Sequence, residues 1–340
     1  MLDLERASPD LPNCRARRHD PRACSDEGFD VDDGFGINDQ VLAQVTVVSR
    51  VWDAYVPFLP SLLGPLKTLI ARGLQVVIVD NASRVPLPTV PEGVSVVRLD
   101  ERVGPGAAAN RGLAAVRSDY VCFADVDDIL IPAAWDELVT LLVGDPDAVA
   151  ACGRAMLWDP ERGVLLGSSI IPADAPGLSE KQLARAIVLR NMFPVVGSLL
   201  RVDTTRSVGG WGEIPPPFED WPLSLALAWR GRLLFSNTPS FYYRIHAASH
   251  LGATSRRDVI IGRLAVYREI RQRLRREPSV PVWLRVATWP MTLLHLRRAF
   301  ARRKHRSEAL DAPPLRNPPV PVPVAEPWLA DGRSPPLQSR

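Results

Sequence analysis

Two short apolar runs that each end in carboxylates set the strongest limit on how this chain folds. Val76-Val77-Ile78-Val79 leads into Asp80, and Tyr120-Val121-Cys122-Phe123-Ala124 leads into Asp125-Val126-Asp127-Asp128. A strand that is apolar at every position has both faces covered, as in a parallel sheet packed between helices. Its polar ending then marks the sheet edge where open α/β folds bind ligands. Three acids crowded at one such edge repel one another. A divalent cation relieves that repulsion, since Mg²⁺ and Mn²⁺ take oxygen ligands and share them with phosphates. The alternative is that Asp128 caps a helix running from Pro132 to Leu138.

The remaining patterns agree with an α/β frame. Val41 to Ser49 is β-branched and predicts a first strand, while Leu59 to Arg72 has helical spacing and is stopped by Gly73. Val94 to Leu99 predicts a strand and Ala107 to Val116 a helix. Residues 41–130 thus read β-α-β-β-α-β, half of a doubly wound domain. Further on, strands are expected over Ala148 to Met156, Gly197 to Val202, Leu233 to Phe235 and Phe241 to Arg244. Helices are expected over Glu180 to Leu189, Trp221 to Trp229 and Val259 to Glu277.

Charge divides the chain further. Residues 1–40 carry ten acidic against five basic side chains and show no periodicity, which predicts a disordered acidic extension. Residues 256–308 carry fifteen basic against four acidic side chains, within a basic helical extension over 251–310. Nine prolines fall between 311 and 340, which predicts an extended Pro-rich tail. Cys14, Cys24, Cys122 and Cys152 form no close pair, so neither a zinc site nor a disulfide framework is indicated. With an N-terminus unlike a signal peptide, the expected location is cytoplasmic. Val280 to Leu296 is apolar and aromatic and leads into the basic run Arg297 to Arg306. That suggests either peripheral contact with an anionic membrane or a helix packed on the domain. The basic segment has few interleaved aromatics, so no nucleic-acid partner is expected.

Three further groupings carry chemistry. Asp80-Asn81 ends a buried strand, where Asp80 suits a nucleobase or ribose, or simply forms a turn. Gly104 to Gly112, containing Asn110, offers close backbone approach and a helix start for an anion, or small residues for tight packing. Gly209-Gly210-Trp211 and Phe218-Glu219-Asp220-Trp221 supply acids at a helix start. These read as a general base beside an aromatic wall, from Trp211 or Trp221, or as helix-terminal charge stabilisation.

In this order the segments Val77 to Ser83, Gly104 to Gly112, Asp125 to Asp128, Asn191 with Ser198 and Arg201, Gly209 to Trp211, Glu219 to Trp221 and Tyr243-Arg244-Ile245-His246 resemble the family 2 glycosyltransferases, inverting enzymes of GT-A fold. The resemblance covers roughly residues 41–250. It implies a nucleotide-sugar-binding half over 41–130 and an acceptor-side half over 131–250. It implies transfer of a sugar from a nucleoside-diphosphate sugar to an acceptor hydroxyl, with Mn²⁺ or Mg²⁺ as cofactor. Asp80 would contact the base, with Asn81, Asn110, Asp125, Trp211 and Glu219 also binding substrate. Asp127, Asp125 and His246 would serve the metal, and Asp220 would be the catalytic base. A lipid-linked glycan is one acceptor in view. A nucleotidyltransferase, or an inactive nucleotide-sugar binder, is the alternative. The first strand departs from the family's Pro-Thr-Tyr-Asn-like loop. Val48-Ser49-Arg50-Val51-Trp52-Asp53 stands there instead, which puts Arg50 and Trp52 forward to pair with phosphate or stack.

Overall fold

β-Branched residues alternate between the two faces of one strand, and that alternation organises the domain. In Val45–Val51 (β1), Val48 joins one apolar core while Val45, Val47 and Val51 join the other. Gln75–Asp80 (β2) divides in the same way, Val77 and Val79 to one side and Val76 and Ile78 to the other. The computed structural model describes residues 38–168, 177–216, 218–245 and 256–276, with isolated positions 282, 286, 288 and 290. The expected Pro-rich tail, His246, the basic run 297–306 and all but the last three residues of the acidic extension lie outside these.

Val94–Arg98 (β3) and Tyr120–Asp125 (β4) complete a parallel set in the order β3-β2-β1-β4. Beyond β4 the sheet turns mixed. Leu199–Arg201 (β8) runs antiparallel to β4 and to Ala148–Asp159 (β6), and β6 runs parallel to Arg232–Arg244 (β9). Ile129–Leu130 (β5) closes the far edge on β9, and Val164–Ser168 (β7) pairs with β6. The parallel strands all end on one edge, and the chain leaves β1 for β2 on one side while β4 lies on the other. That divergence opens a crevice at the strand ends.

Helix Pro105–Ala115 (α4) lies on the face of Val48 and Val79. A Cβ on its Gly112 would stand 2.4 Å from Val48, so only glycine permits this approach. Glu180–Leu189 (α6) forms over the expected range, with a capping box from Ser179 and Gln182. Trp221–Ala228 (α8) and Arg256–Arg276 (α9) join the same core through Trp221, Tyr267, Ile270 and Leu274. The first part of the basic extension is therefore core structure. Trp135–Gly144 (α5) covers the other face.

Several expectations are corrected. Residues 41–44 belong to a short helix, Asp39–Gln44, because Asn38 caps it by accepting from the Gln40 N–H; the strand starts at Val45. The helix expected over Leu59 to Arg72 breaks into Leu59–Leu63 and Lys67–Ala71, with a 3₁₀ turn at Gly64-Pro65-Leu66 where proline cannot donate. The segment Asp53–Ala71 has the length and mean hydropathy (1.2) of a membrane span, but Leu59, Leu62, Leu66 and Leu69 are buried in the core. The two strands expected over 233–244 are one strand, irregular opposite Pro239. Asp128 caps no helix. It closes a turn onto Asp125 and leads into β5.

Candidate active site

Strand register places the acids. Val51 of β1 pairs with Asp80 of β2, and Arg50 pairs with Asp125 of β4, so both carboxylates and the arginine sit at one sheet edge. The cleft there is lined by Arg50, Trp52, Tyr55, Asn81, Arg102, Asp125, Asp127 and Tyr243, among others.

The turn after β4 splits its three acids. Asp125 is partly exposed toward the cleft, and Asp127 also lines it. Asp128 also borders the cleft but is almost wholly buried, and its Oδ1 accepts from the Arg244 main-chain N–H at 3.0 Å. Burial, with Asp127 and Asp125 nearby, drives its carboxyl well above the usual carboxylate range. Arg244 is buried and donates from Nε to the Asp127 carbonyl at 2.6 Å. Its guanidinium lies 4.6 Å from the Trp158 ring. β9 therefore holds this turn from below. Tyr55 and Tyr243 flank the turn, and burial together with the acids raises both phenols above their ordinary value.

Asp80 is committed within the fold. Its Oδ1 accepts from the Ser83 N–H at 3.0 Å and its Oδ2 from Arg98, which also binds the Ser83 carbonyl at 2.7 Å. Burial opposes ionisation here, but the bonds from Ser83 and Arg98 outweigh it and leave the carboxyl below its ordinary value. Asn81 exchanges two 2.9 Å bonds with the Val103 main chain, anchoring the loop that carries Arg102. Arg102 stacks over Trp52 at 3.5 Å. The residue pattern singled out Asp80 and Asn81 but not Arg98, Arg102 or Tyr55. Arg98 is the residue opposite Asp80 in the β2–β3 register, a signal visible only once that pairing is known.

Glu219 and Asp220 come in on a loop held by α4. Asn110 accepts from the Trp211 N–H at 2.8 Å and donates to the Trp211 carbonyl at 3.2 Å. Gly106 meets Gly212 so closely that a Cβ would stand 2.0 Å from the Gly212 carbonyl oxygen. Asn110 thus holds the loop and spends its amide there, not on a ligand. Trp211 is 2 % exposed and edge-on to Phe123 at 5.1 Å, and Trp221 is buried against Tyr267. The aromatic wall expected of them is therefore core packing.

Asp220 sits at the N-terminus of α8 but makes no capping bond. Its Oδ2 instead accepts from the Asn191 amide at 2.7 Å. Burial first, then the adjacent Glu219 carboxylate and Asp125, push the Asp220 carboxyl up to about 7 against the bond from Asn191. Such a group changes protonation near neutrality, as a general base must. Glu219 is buried and faces Arg50 at 3.5 Å. Arg50, expected to serve phosphate, is turned to the acids: its Nη2 also lies 3.0 Å from Asp125.

Among the described residues, no three His, Cys, Asp or Glu side chains converge as a cation cage. Two carboxylates still fit a cation that takes its other ligands from a diphosphate and water, which is the usual Mg²⁺ arrangement. Asp125 and Asp127, both lining the cleft, are the carboxylates that would hold it.

Residues 59–163 match the family described as "Glycosyl transferase family 2". The chain is 28 % identical over 195 residues to the pre-mycofactocin glycosyltransferase of Mycobacterium tuberculosis, an alignment covering 56 % of this chain and 40 % of that protein. It is 28 % identical over 178 residues to the O-antigen biosynthesis protein RfbC of Myxococcus xanthus, covering 50 % and 13 %. The chain therefore spans less than half the length of these relatives. In fold it is similar to residues 1–349 of S. aureus TarS, solved in complex with UDP-GlcNAc, with a TM-score of 0.53 at 14 % identity over 79 % of this chain and 76 % of that one. The same protein in complex with UDP superposes with a TM-score of 0.51. The mixed sheet flanked by helices is a GT-A fold, and residues 59–163 within it match glycosyl transferase family 2.

Proposed function

We propose that the chain transfers a sugar from a nucleoside-diphosphate sugar to an acceptor hydroxyl in a single displacement that inverts the anomeric carbon. The observation that carries this is Asp220: a carboxyl held at 2.7 Å by Asn191, raised toward neutrality, and within electrostatic reach of Asp125, which lines the cleft. The acceptor hydroxyl would give its proton to Asp220 as its oxygen attacks the anomeric carbon. Asn191 would hold Asp220 in line, through a bond that also favours the ionised form. Asp127 with Asp125 would hold a divalent cation, which offsets charge building on the leaving diphosphate. Trp52, stacked under Arg102, gives the nucleotide an aromatic and cationic flank. Asp80 would act on the base through or beside Arg98, since both its oxygens are engaged.

The test is a panel of nucleotide sugars, assayed for donor hydrolysis and transfer with and without Mn²⁺. Turnover of at least one donor that a chelator abolishes supports the reading. No nucleotide release from any donor, with or without Mn²⁺, refutes it. We also propose a cytoplasmic, peripheral placement on an anionic membrane with a lipid-linked acceptor, supported by the excess of basic residues in 256–308.

A further inference from the structure

Arg50 is placed unlike a phosphate-binding arginine. It lies at the end of β1 in register with Asp125, and its side chain is only 14 % exposed. Its Nη2 stands 3.0 Å from Asp125 Oδ1 and 3.5 Å from Glu219 Oε1. Its guanidinium lies 4.6 Å from the centre of the Trp211 ring, so it is held from three sides. Glu219 is 4 % exposed, and its Oε2 has no hydrogen-bond partner. A carboxylate buried in this way needs a charged partner, and Arg50 is the cation in contact with it. Glu219 is the chain neighbour of Asp220. The groups acting on Asp220 are Glu219 from its own loop, Asn191 from the segment after α6, and Asp125 from β4; Arg50 reaches it through two of these.

We propose that Arg50 is a positioning residue for Asp220: by bridging Asp125 and Glu219 it fixes the Glu219 carboxylate, and so sets the orientation and electrostatic surroundings of the neighbouring base. The inference rests on Asp220 being the proton acceptor, yet its central element, electrostatic coupling from β1 to the Glu219–Asp220 pair, is measurable without turnover.

The experiment follows the Asp220 carboxyl carbon by NMR from about pH 4 to about pH 9 in wild type, Arg50→Met, Arg50→Lys and Glu219→Gln, with kcat and KM recorded over the same range. Arg50→Met removes a positive charge from the acid cluster. An opposite charge within reach lowers an acid by about 1–3 pH units, and Arg50 acts at one remove, so the Asp220 midpoint should rise by about one unit. Arg50→Lys keeps the charge and should restore most of that change. Glu219→Gln removes the like charge and should lower the midpoint. The pH limb of kcat should follow, with KM for the donor changing less. An Asp220 midpoint unmoved by both Arg50→Met and Glu219→Gln, or Arg50→Lys behaving like Arg50→Met, overturns the proposal. If Arg50→Met does not fold, the sign of the Glu219→Gln change decides. If the midpoints move as stated while transfer ignores them, the coupling stands and the assignment of Asp220 as base fails.

Discussion

Replacing Asp220 with asparagine should weaken catalysis and, at neutral pH, strengthen the fold. The carboxyl moves from an ordinary 3.8 in the unfolded chain to about 7 in the native one, chiefly because it is buried beside Glu219. Below about pH 4 it is protonated in both states and contributes nothing. Above that, the unfolded chain releases the proton while the folded chain keeps it, so stability falls as pH rises and levels off above about pH 7. The difference is about three pH units at ~1.4 kcal/mol each, on the order of 4 kcal/mol. The side chain is not fully enclosed, and screening of its exposed part brings the expected penalty to about 2–4 kcal/mol. Asp220→Asn removes the titration and leaves an oxygen for the Asn191 amide. Its stability relative to wild type should therefore grow between about pH 4.5 and about pH 8 by that amount. Urea unfolding of both proteins at the two pH values measures it. Turnover should drop by on the order of 10²–10⁴ with donor affinity near wild type, and the wild-type rate should rise with pH through about 7. A stability difference that is the same at both pH values, or that shrinks as pH rises, refutes the reasoning; so does transfer at the wild-type rate.

Asp127→Ala should abolish Mn²⁺-dependent donor binding in calorimetry, and a chelator should do the same to wild type; full activity with chelator present would exclude the cation role. Gly106→Ala would drive a methyl to 2.0 Å from the Gly212 carbonyl oxygen, a main-chain atom that cannot swing aside. It should cost about 1–3 kcal/mol or more in urea unfolding and lower kcat by displacing the Glu219–Asp220 loop. In sedimentation with vesicles, binding should increase with anionic lipid, fall with salt and disappear when 280–306 are removed; equal binding to neutral vesicles would leave the basic segment without a membrane role.

How much of this was legible in the chain depends on the range over which each feature is encoded. The two apolar runs and their polar endings define buried parallel strands and bring Asp80 and Asp125 to one edge, because every residue involved is local and side chains alternate with a period of two. The helix Glu180–Leu189 was equally legible, since Ser179 and Gln182 carry its start signal. The broken helix at Gly64-Pro65 and the continuous strand Arg232–Arg244 were less so, as neighbours across the sheet override short-range pattern there.

What only the tertiary structure decided is the division of labour among the polar residues. Asn110 and Trp211 carried plausible substrate roles as sequence, yet they bind each other across a separation of 101 residues and serve the core. Asp128 is chemically the equal of Asp125 and Asp127, but a main-chain N–H at Arg244, 116 positions away, engages its carboxylate. Arg50 finds Glu219 at a separation of 169. A carboxylate or guanidinium takes its charge state and role from whatever lies within a few ångströms, and local spacing carries no record of partners that arrive from the other side of the sheet.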